Sequence, residues 1–261
     1  IFITMIKSKV IFSLSFLTIT VFASAQSEWK MQDDLEYHFQ RVDYWRSRMQ
    51  PDSAAKEDSI LRDRLLYYTN TYPATLGDNF KMLKYYDHLN VLSSDDKSFR
   101  IYSWDDGNAR QHNFINVFQY KGNDKSVQAS VSIPGADNAA LRGREYRRLY
   151  TMKTKGRVYY LATFITPRSK DDYSMGVEVF SKNANGGLDD STHIIVNNTY
   201  GTAVNELEYE MGNASGAVDH CIYFDKSSKQ LYVPIIWHDG VVSTAYTEYR
   251  FKNNYFTEVK K

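Results

Sequence analysis

The sequence is poor in the features that name a function at sight. One cysteine, Cys221, occurs in the whole chain, so no internal disulfide can form. Apart from the N-terminal stretch, no apolar run approaches the roughly 20 residues that a membrane-spanning helix needs. The formal net charge is only +1, which provides no electrostatic footprint for nucleic acid or an anionic membrane. Phosphate loops, nucleophile elbows, zinc-binding helix motifs and calcium-hand loops are all missing. The six histidines fall at 38, 88, 112, 193, 220 and 238, never at the i, i+4 spacing that sets two imidazoles on one helical face. These absences argue against a locally encoded metal site, and no cofactor is expected.

What is present begins with a secretory pattern. Lys7 and Lys9 precede a 13-residue uncharged stretch, Val10 to Phe22, and then Ala23-Ser24-Ala25 before Gln26. A basic end, a short apolar core and a small-x-small site predict a signal peptide over residues 1–25, cleaved between Ala25 and Gln26. With Gln26 and not cysteine at the cleavage point, lipid attachment there is excluded, and no permanent membrane anchor is expected. Removal of the two signal lysines leaves 30 basic against 31 acidic side chains, a formal −1.

Beyond the signal the periodicity changes once. Leu35, Phe39, Val42 and Trp45 recur at spacings of three and four, as on one face of an amphipathic helix. Ile60, Leu61, Leu65 and Tyr68 mark a second helix that should end before Pro73, and Phe80, Leu83 and Leu89 suggest a third, from Asp78 to about Asn90. After Ser93-Ser94-Asp95-Asp96 the period becomes two. Phe99, Ile101 and Ser103 alternate with Arg100, Tyr102 and Trp104; Val158, Tyr160, Ala162 and Phe164 form a similar series. Turn residues punctuate these runs at Gly122-Asn123-Asp124, Lys155-Gly156, Asn183 to Gly187, Asp225 to Lys229 and Asn253-Asn254. The expectation is an α+β chain: about three N-terminal helices over 26–92 packing on a sheet, then an antiparallel β domain over 93–261. That domain is expected as a meander of about ten half-buried strands, arranged as a curved sheet, sandwich or barrel.

A weak internal repeat runs through the β region. Trp104-Asp105-Asp106-Gly107 is echoed by Trp237-His238-Asp239-Gly240, each at a strand end. Tyr120-Lys121-Gly122-Asn123, Lys182-Asn183 and Lys252-Asn253-Asn254 close similar strands. The entry turns Asp96-Lys97-Ser98, Lys155-Gly156 and Lys226 to Lys229 also correspond. The simplest account is one unit used near both ends of the β region, with a degraded copy between. The copies lie about 60 to 70 residues apart, against roughly 40 to 50 for a propeller blade.

The strand Phe99-Arg-Ile-Tyr-Ser-Trp104-Asp resembles one carried by a group of uncharacterised exported bacterial proteins after helical N-terminal segments. The resemblance covers that strand and the general layout. In those proteins the strand leads into a glycine-rich loop, whereas here Asp-Gly-Asn-Ala-Arg-Gln-His follows. The resemblance implies export and carries no activity.

Three functional expectations follow. The leading one is an exported, non-catalytic β-rich protein that binds a ligand or envelope partner in the periplasm or at the cell surface. Trp104, Asp105, Trp237 and His238 are its candidate rim residues, since side chains at strand ends can reach a ligand. The second is an exported hydrolase that assembles His112, His238, Asp105 and Asp239 only through folding. The third is a structural or envelope-assembly protein, marked by a large apolar patch. His220 and Cys221 would point to opposite faces of a strand and so do not form a catalytic pair. The 21 tyrosines and 14 phenylalanines suit half-buried strands, and flat aromatic surfaces on a rigid sheet also suit ligand binding.

Overall fold

A computed structural model describes residues 29–78, 80, 83, 89–106, 113–124, 126–132, 143–168, 172–197, 201–211, 221–237 and 240–259. The expected signal segment, its Ala25–Gln26 junction, His112, His238 and Asp239 lie outside these residues. The chain divides into two compact units, one of residues 1–61 with 80–86 and one of 62–79 with 87–261.

Two α-helices occur among the described residues, α1 over 29–47 and α2 over Pro51–Thr71. The count is two and not three: most of the segment expected as a third helix lies outside the described residues, and its end is already strand, since β1 spans Asn90–Ser93. Pro51 opens α2, where its missing N–H costs nothing. In the first unit Leu35, Phe39 and Val42 are buried, as their spacing predicts. There His38 Nδ1 lies 2.7 Å from Glu57 Oε1, which ties α1 to the first half of α2.

Among the described residues of the second unit there are fifteen strands, not about ten. Sheet 1 is the meander β1 (Asn90–Ser93), β2 (Phe99–Asp105), β3 (Phe114–Lys121) and β4 (Val127–Ser132). Sheet 2 runs in the order β11 (Glu206–Met211), β7 (Tyr173–Lys182), β6 (Val158–Pro167), β5 (Glu145–Lys153), with the short β8 (Leu188–Asp189) also on β7. Sheet 3 runs β10 (Thr202–Val204), β9 (Ile195–Asn197), β15 (Tyr255–Glu258), β14 (Val242–Lys252), β13 (Gln230–Ile236), β12 (Tyr223–Asp225). Every pairing is antiparallel except that of β15 with β9. None of the three closes into a barrel.

Alternation along β6 explains how the sheets stack. Tyr160, Ala162 and Phe164 join Phe99, Ile101 and Phe118 of sheet 1 in one apolar core. Tyr159 and Leu161 face the other way, joining Phe224, Leu231, Val233 and Phe256 of sheet 3 in a second. Sheet 2 is therefore covered on both faces, and its central strands are buried almost end to end, not half-buried as the alternation suggests. An antiparallel sheet that is apolar on both faces needs a layer on each side.

Three meanders occur, β1–β4, β5–β8 and β12–β15, the last separated from the second by β9, β10 and β11. Each opens with a hairpin whose turn has a residue at positive φ at or just before the second strand: Lys97 (52°), Gly156 (93°) and Lys229 (53°). Aspartates brace the first and third of these turns, and Thr154 the second, its hydroxyl donating to the Arg157 carbonyl at 2.9 Å. Asp225 Oδ1 accepts from the Ser227 N–H and hydroxyl at 2.9 and 2.8 Å, and Asp96 Oδ1 accepts from the Ser98 N–H at 3.1 Å. The turns of all three meanders share one end of the stack. Lys226 pairs with Asp95, the Asp95 N–H donates to Thr151 Oγ1 at 2.9 Å, and the Tyr160 hydroxyl donates to Asp96.

On the face of sheet 1 turned away from sheet 2, polar side chains find partners beside the buried Trp104, Ile115 and Val117. Gln119 Nε2 donates to the Thr69 carbonyl (2.8 Å) and Thr75 Oγ1 (2.7 Å), while its Oε1 accepts from the Tyr102 hydroxyl at 2.7 Å. Arg100 Nη1 donates to the carbonyls of Thr75 and Asp78 at 2.6 and 2.5 Å. Carbonyls left over at the end of α2 and in the following 3-10 turn, Pro73–Leu76, are thereby paired.

Candidate functional site

The two tryptophans expected at a ligand rim have opposite environments. Trp104, near the end of β2 in sheet 1, is 2% exposed, whereas Trp237, just past β13 in sheet 3, is 58% exposed. Sheet 2 stands between their sheets, so the two indoles do not build one surface together. Their turns differ as well. The second is tight, with the Trp237 N–H bonded to the Val241 carbonyl at 2.9 Å and Gly240 at φ 79°. The first bridges a longer connection, closed by the Asp106 N–H and the Asn113 carbonyl at 2.7 Å. Asp105, opposite Phe114, is half-buried.

Sheet 3 carries an aromatic cluster on the face turned away from sheet 2. Leu231 and Val233 point inward to the core, so Tyr232 between them points out. Its register partner on β12 is Tyr223, and the two rings stack with centroids 4.6 Å apart and planes 7° from parallel. Tyr246 on β14 stands edge-on to both, at 5.3 and 6.3 Å. All three are half-buried, and the Tyr232 hydroxyl donates to Gln230 Oε1 at 3.2 Å. Trp237 lies three residues past Pro234, the register partner of Tyr246, just beyond the end of β13. The three tyrosines form an aromatic and hydroxyl-bearing surface, and the exposed Trp237 follows the register shift between Pro234 and Ile236.

On the edge strand of sheet 2, Tyr150 packs edge-on against Phe224 at 6.0 Å, on the core side of sheet 3. Arg148, two residues earlier and exposed, reaches the Tyr150 hydroxyl at 3.4 Å, a long and weak bond. Its pKa is raised, first by that bond and then by the nearby Tyr150, Cys221 and Tyr246. Cys221 is half-buried.

A second cluster, on the opposite face of sheet 2, consumes its own groups. Arg144 donates to Glu178 (2.9 Å) and Glu206 (2.6 Å), lies 3.5 Å from Glu208, and stacks 4.1 Å over the Phe164 ring. Tyr146 donates to Glu178 at 2.6 Å, Ser174 to Glu208, and Arg168 pairs with Glu208 at 3.1 Å. Burial raises the Glu178 pKa and outweighs the opposing pull of Arg144 and Tyr146. Burial would likewise raise Glu208, but the Ser174 bond and the two arginines hold it below the ordinary value. Glu178 and Glu206 are register partners, so this network ties the edge strand β11 to β7 and β5. Among the described residues no cluster of His, Cys, Asp or Glu is arranged to hold a metal ion. No described helix is long and apolar enough to cross a membrane.

The chain matches no protein-family model, no curated protein and no solved structure. Of the residues expected at the site, Trp237 belongs to the exposed surface. Reading the sequence passed over Tyr223, Tyr232 and Tyr246. The signal was present in Leu231-Tyr232-Val233, where the apolar neighbours fix the outward position of the tyrosine.

Proposed function

We propose that this is an exported, non-catalytic binding protein whose ligand surface is the outer aromatic face of sheet 3, from Tyr223 to Trp237. The observation that carries the reading is the Tyr223–Tyr232–Tyr246 cluster, ordered by strand register on a sheet whose other face is core. Tyrosines held this way provide contact area and hydroxyls while little rotamer entropy remains to be lost on binding. The basic–apolar–small pattern before Gln26 supports export.

The test uses the mature chain and a panel of soluble polysaccharides and peptides. A ligand at this face changes the emission of Trp237, and Trp237→Phe loses that response. Tyr232→Ala combined with Tyr246→Ala abolishes binding while circular dichroism stays native. Unchanged binding by the double variant refutes the site. Terminal sequencing of protein expressed with its leader should begin at Gln26; retention of residues 1–25 refutes export by cleavage.

A further inference from the structure

Sheet 1 ends on one side at β4, the last strand in its order. The Gly122 N–H donates to the Ser126 carbonyl at 2.7 Å, so Ser126 turns its carbonyl toward β3. In an antiparallel pair the N–H and carbonyl of one residue point the same way, and the direction alternates along the strand. Gln128, Ser130 and Ser132 therefore bond toward β3, while Val127, Ala129 and Val131 direct their backbone groups out of the sheet edge. Strands with such an edge usually carry a charge, a proline or a bulge that discourages another strand. The β4 sequence, Val-Gln-Ala-Ser-Val-Ser, has no charge and no proline, and its register with β3 runs without a shift. Gln128 and Ser130 are exposed, and Val127, Ala129 and Val131 are half-buried.

Helix α2 meets this edge at its middle through one side chain. The Ala129 N–H donates to Asn70 Oδ1 at 2.7 Å, and Asn70 Nδ2 donates to the Ala129 carbonyl at 3.3 Å. A carboxamide that serves both backbone groups of one residue reproduces the bonding of a neighbouring strand at that point. The same Nδ2 donates to the Leu66 carbonyl at 2.9 Å, one turn back along α2, which fixes the orientation of the amide. Asn70 thus occupies the centre of the outward row, and the row is symmetric about that centre. A second β4 laid antiparallel, Ala129 opposite Ala129, sets Val127 against Val131 twice and Gln128 against Ser130 twice. Apolar side chains then meet on one face and hydrogen-bonding ones on the other, with no like charges opposed. We propose that the β4 edge is a pairing surface for the β4 strand of a second copy of this chain, held closed in the monomer by the Asn70 carboxamide.

Hydrogen exchange on the wild-type mature chain reads the closed edge directly. Corrected for intrinsic rates, the Ala129 amide should exchange roughly tenfold slower than those of Val127 and Val131; equal rates overturn the contact. In sedimentation velocity the wild type should stay monomeric, and Asn70→Ala should shift toward a dimer as concentration rises. Val131→Pro removes an outward N–H at an edge position that tolerates proline, so adding it to Asn70→Ala should restore the monomer. Asn70→Asp keeps the acceptor and loses the donor, and should lie between wild type and Asn70→Ala; it takes over the comparison if Asn70→Ala does not fold. A variant that remains monomeric with native circular dichroism overturns the proposal. So does a dimer indifferent to Val131→Pro, which must form elsewhere, and a wild-type dimer that Val131→Pro abolishes refutes the closing role of Asn70.

Discussion

Replacing Arg144 by alanine should be among the most damaging single changes on sheet 2, because one guanidinium serves three carboxylates. Glu178 is the decisive partner: its side chain is 12% exposed, against 27% for Glu206 and 21% for Glu208. Glu206 and Glu208 can recover water, so their loss counts for little. Glu178 cannot, and stranding a buried charge costs about 3–5 kcal/mol. The loss depends on pH in a definite direction. Burial holds the Glu178 pKa above its ordinary value in the folded protein. Its contribution therefore favours folding below the unfolded value of about 4.3 and is lost as pH rises through the raised folded value. Without Arg144 the folded value climbs farther, so the deficit of Arg144→Ala should be largest near pH 7 and shrink toward pH 5. Glu178→Gln keeps an acceptor for Tyr146 and should cost only about 1–2 kcal/mol. In the double variant the stranded charge no longer exists, and the two losses should fall short of adding. Urea denaturation at both pH values measures all of this. A loss below about 1 kcal/mol at pH 7, a pH-independent deficit or simple additivity refutes the reasoning.

Two other perturbations probe the stack. A Cβ on Gly176 would lie 2.3 Å from the Phe164 ring and 2.6 Å from the Leu207 carbonyl, so Gly176→Ala should destabilise by about 1–3 kcal/mol. Phe164→Leu should recover part of that loss in the alanine background, and equal stability of Gly176→Ala and wild type would show that the strands can part freely. In the Asp225 turn, hydrogen bonds from Ser228 first and then Ser227 lower the carboxyl pKa to about 2. The stability it adds is present above the unfolded value of about 3.9 and is lost as pH falls through about 2. Carboxyl NMR titration should give that midpoint, and an ordinary value would mean that the turn is not braced in solution.

Legibility differed by element for physical reasons. Helix α1 could be read because Leu35, Phe39 and Val42 repeat with the period of the helix itself. Turn chemistry marked Asp225 to Lys229 and Asn253-Asn254 as chain reversals, because positive φ is a local demand that few residues meet. Strand number was underestimated, since short strands such as β9 and β10 gain their hydrogen bonds from neighbours distant in sequence and leave little trace in local pattern.

Local pattern alone thus determined the α+β class and the antiparallel connections of neighbouring strands, both properties of neighbouring residues. Only the tertiary structure decided the layering. Alternation along β6 reads the same whether one face meets water or both meet other sheets, and only the packed partners reveal that both are covered. The same limit governs the tryptophans. Trp104 and Trp237 sit in matching local sequences, yet one is buried and the other exposed, because exposure depends on what the remainder of the chain lays over each. Arg144 just precedes β5 and Arg148 lies within it, four residues apart in the sequence. Glutamates brought by β7 and β11 pair with the first, and among the described residues no carboxylate pairs with the second.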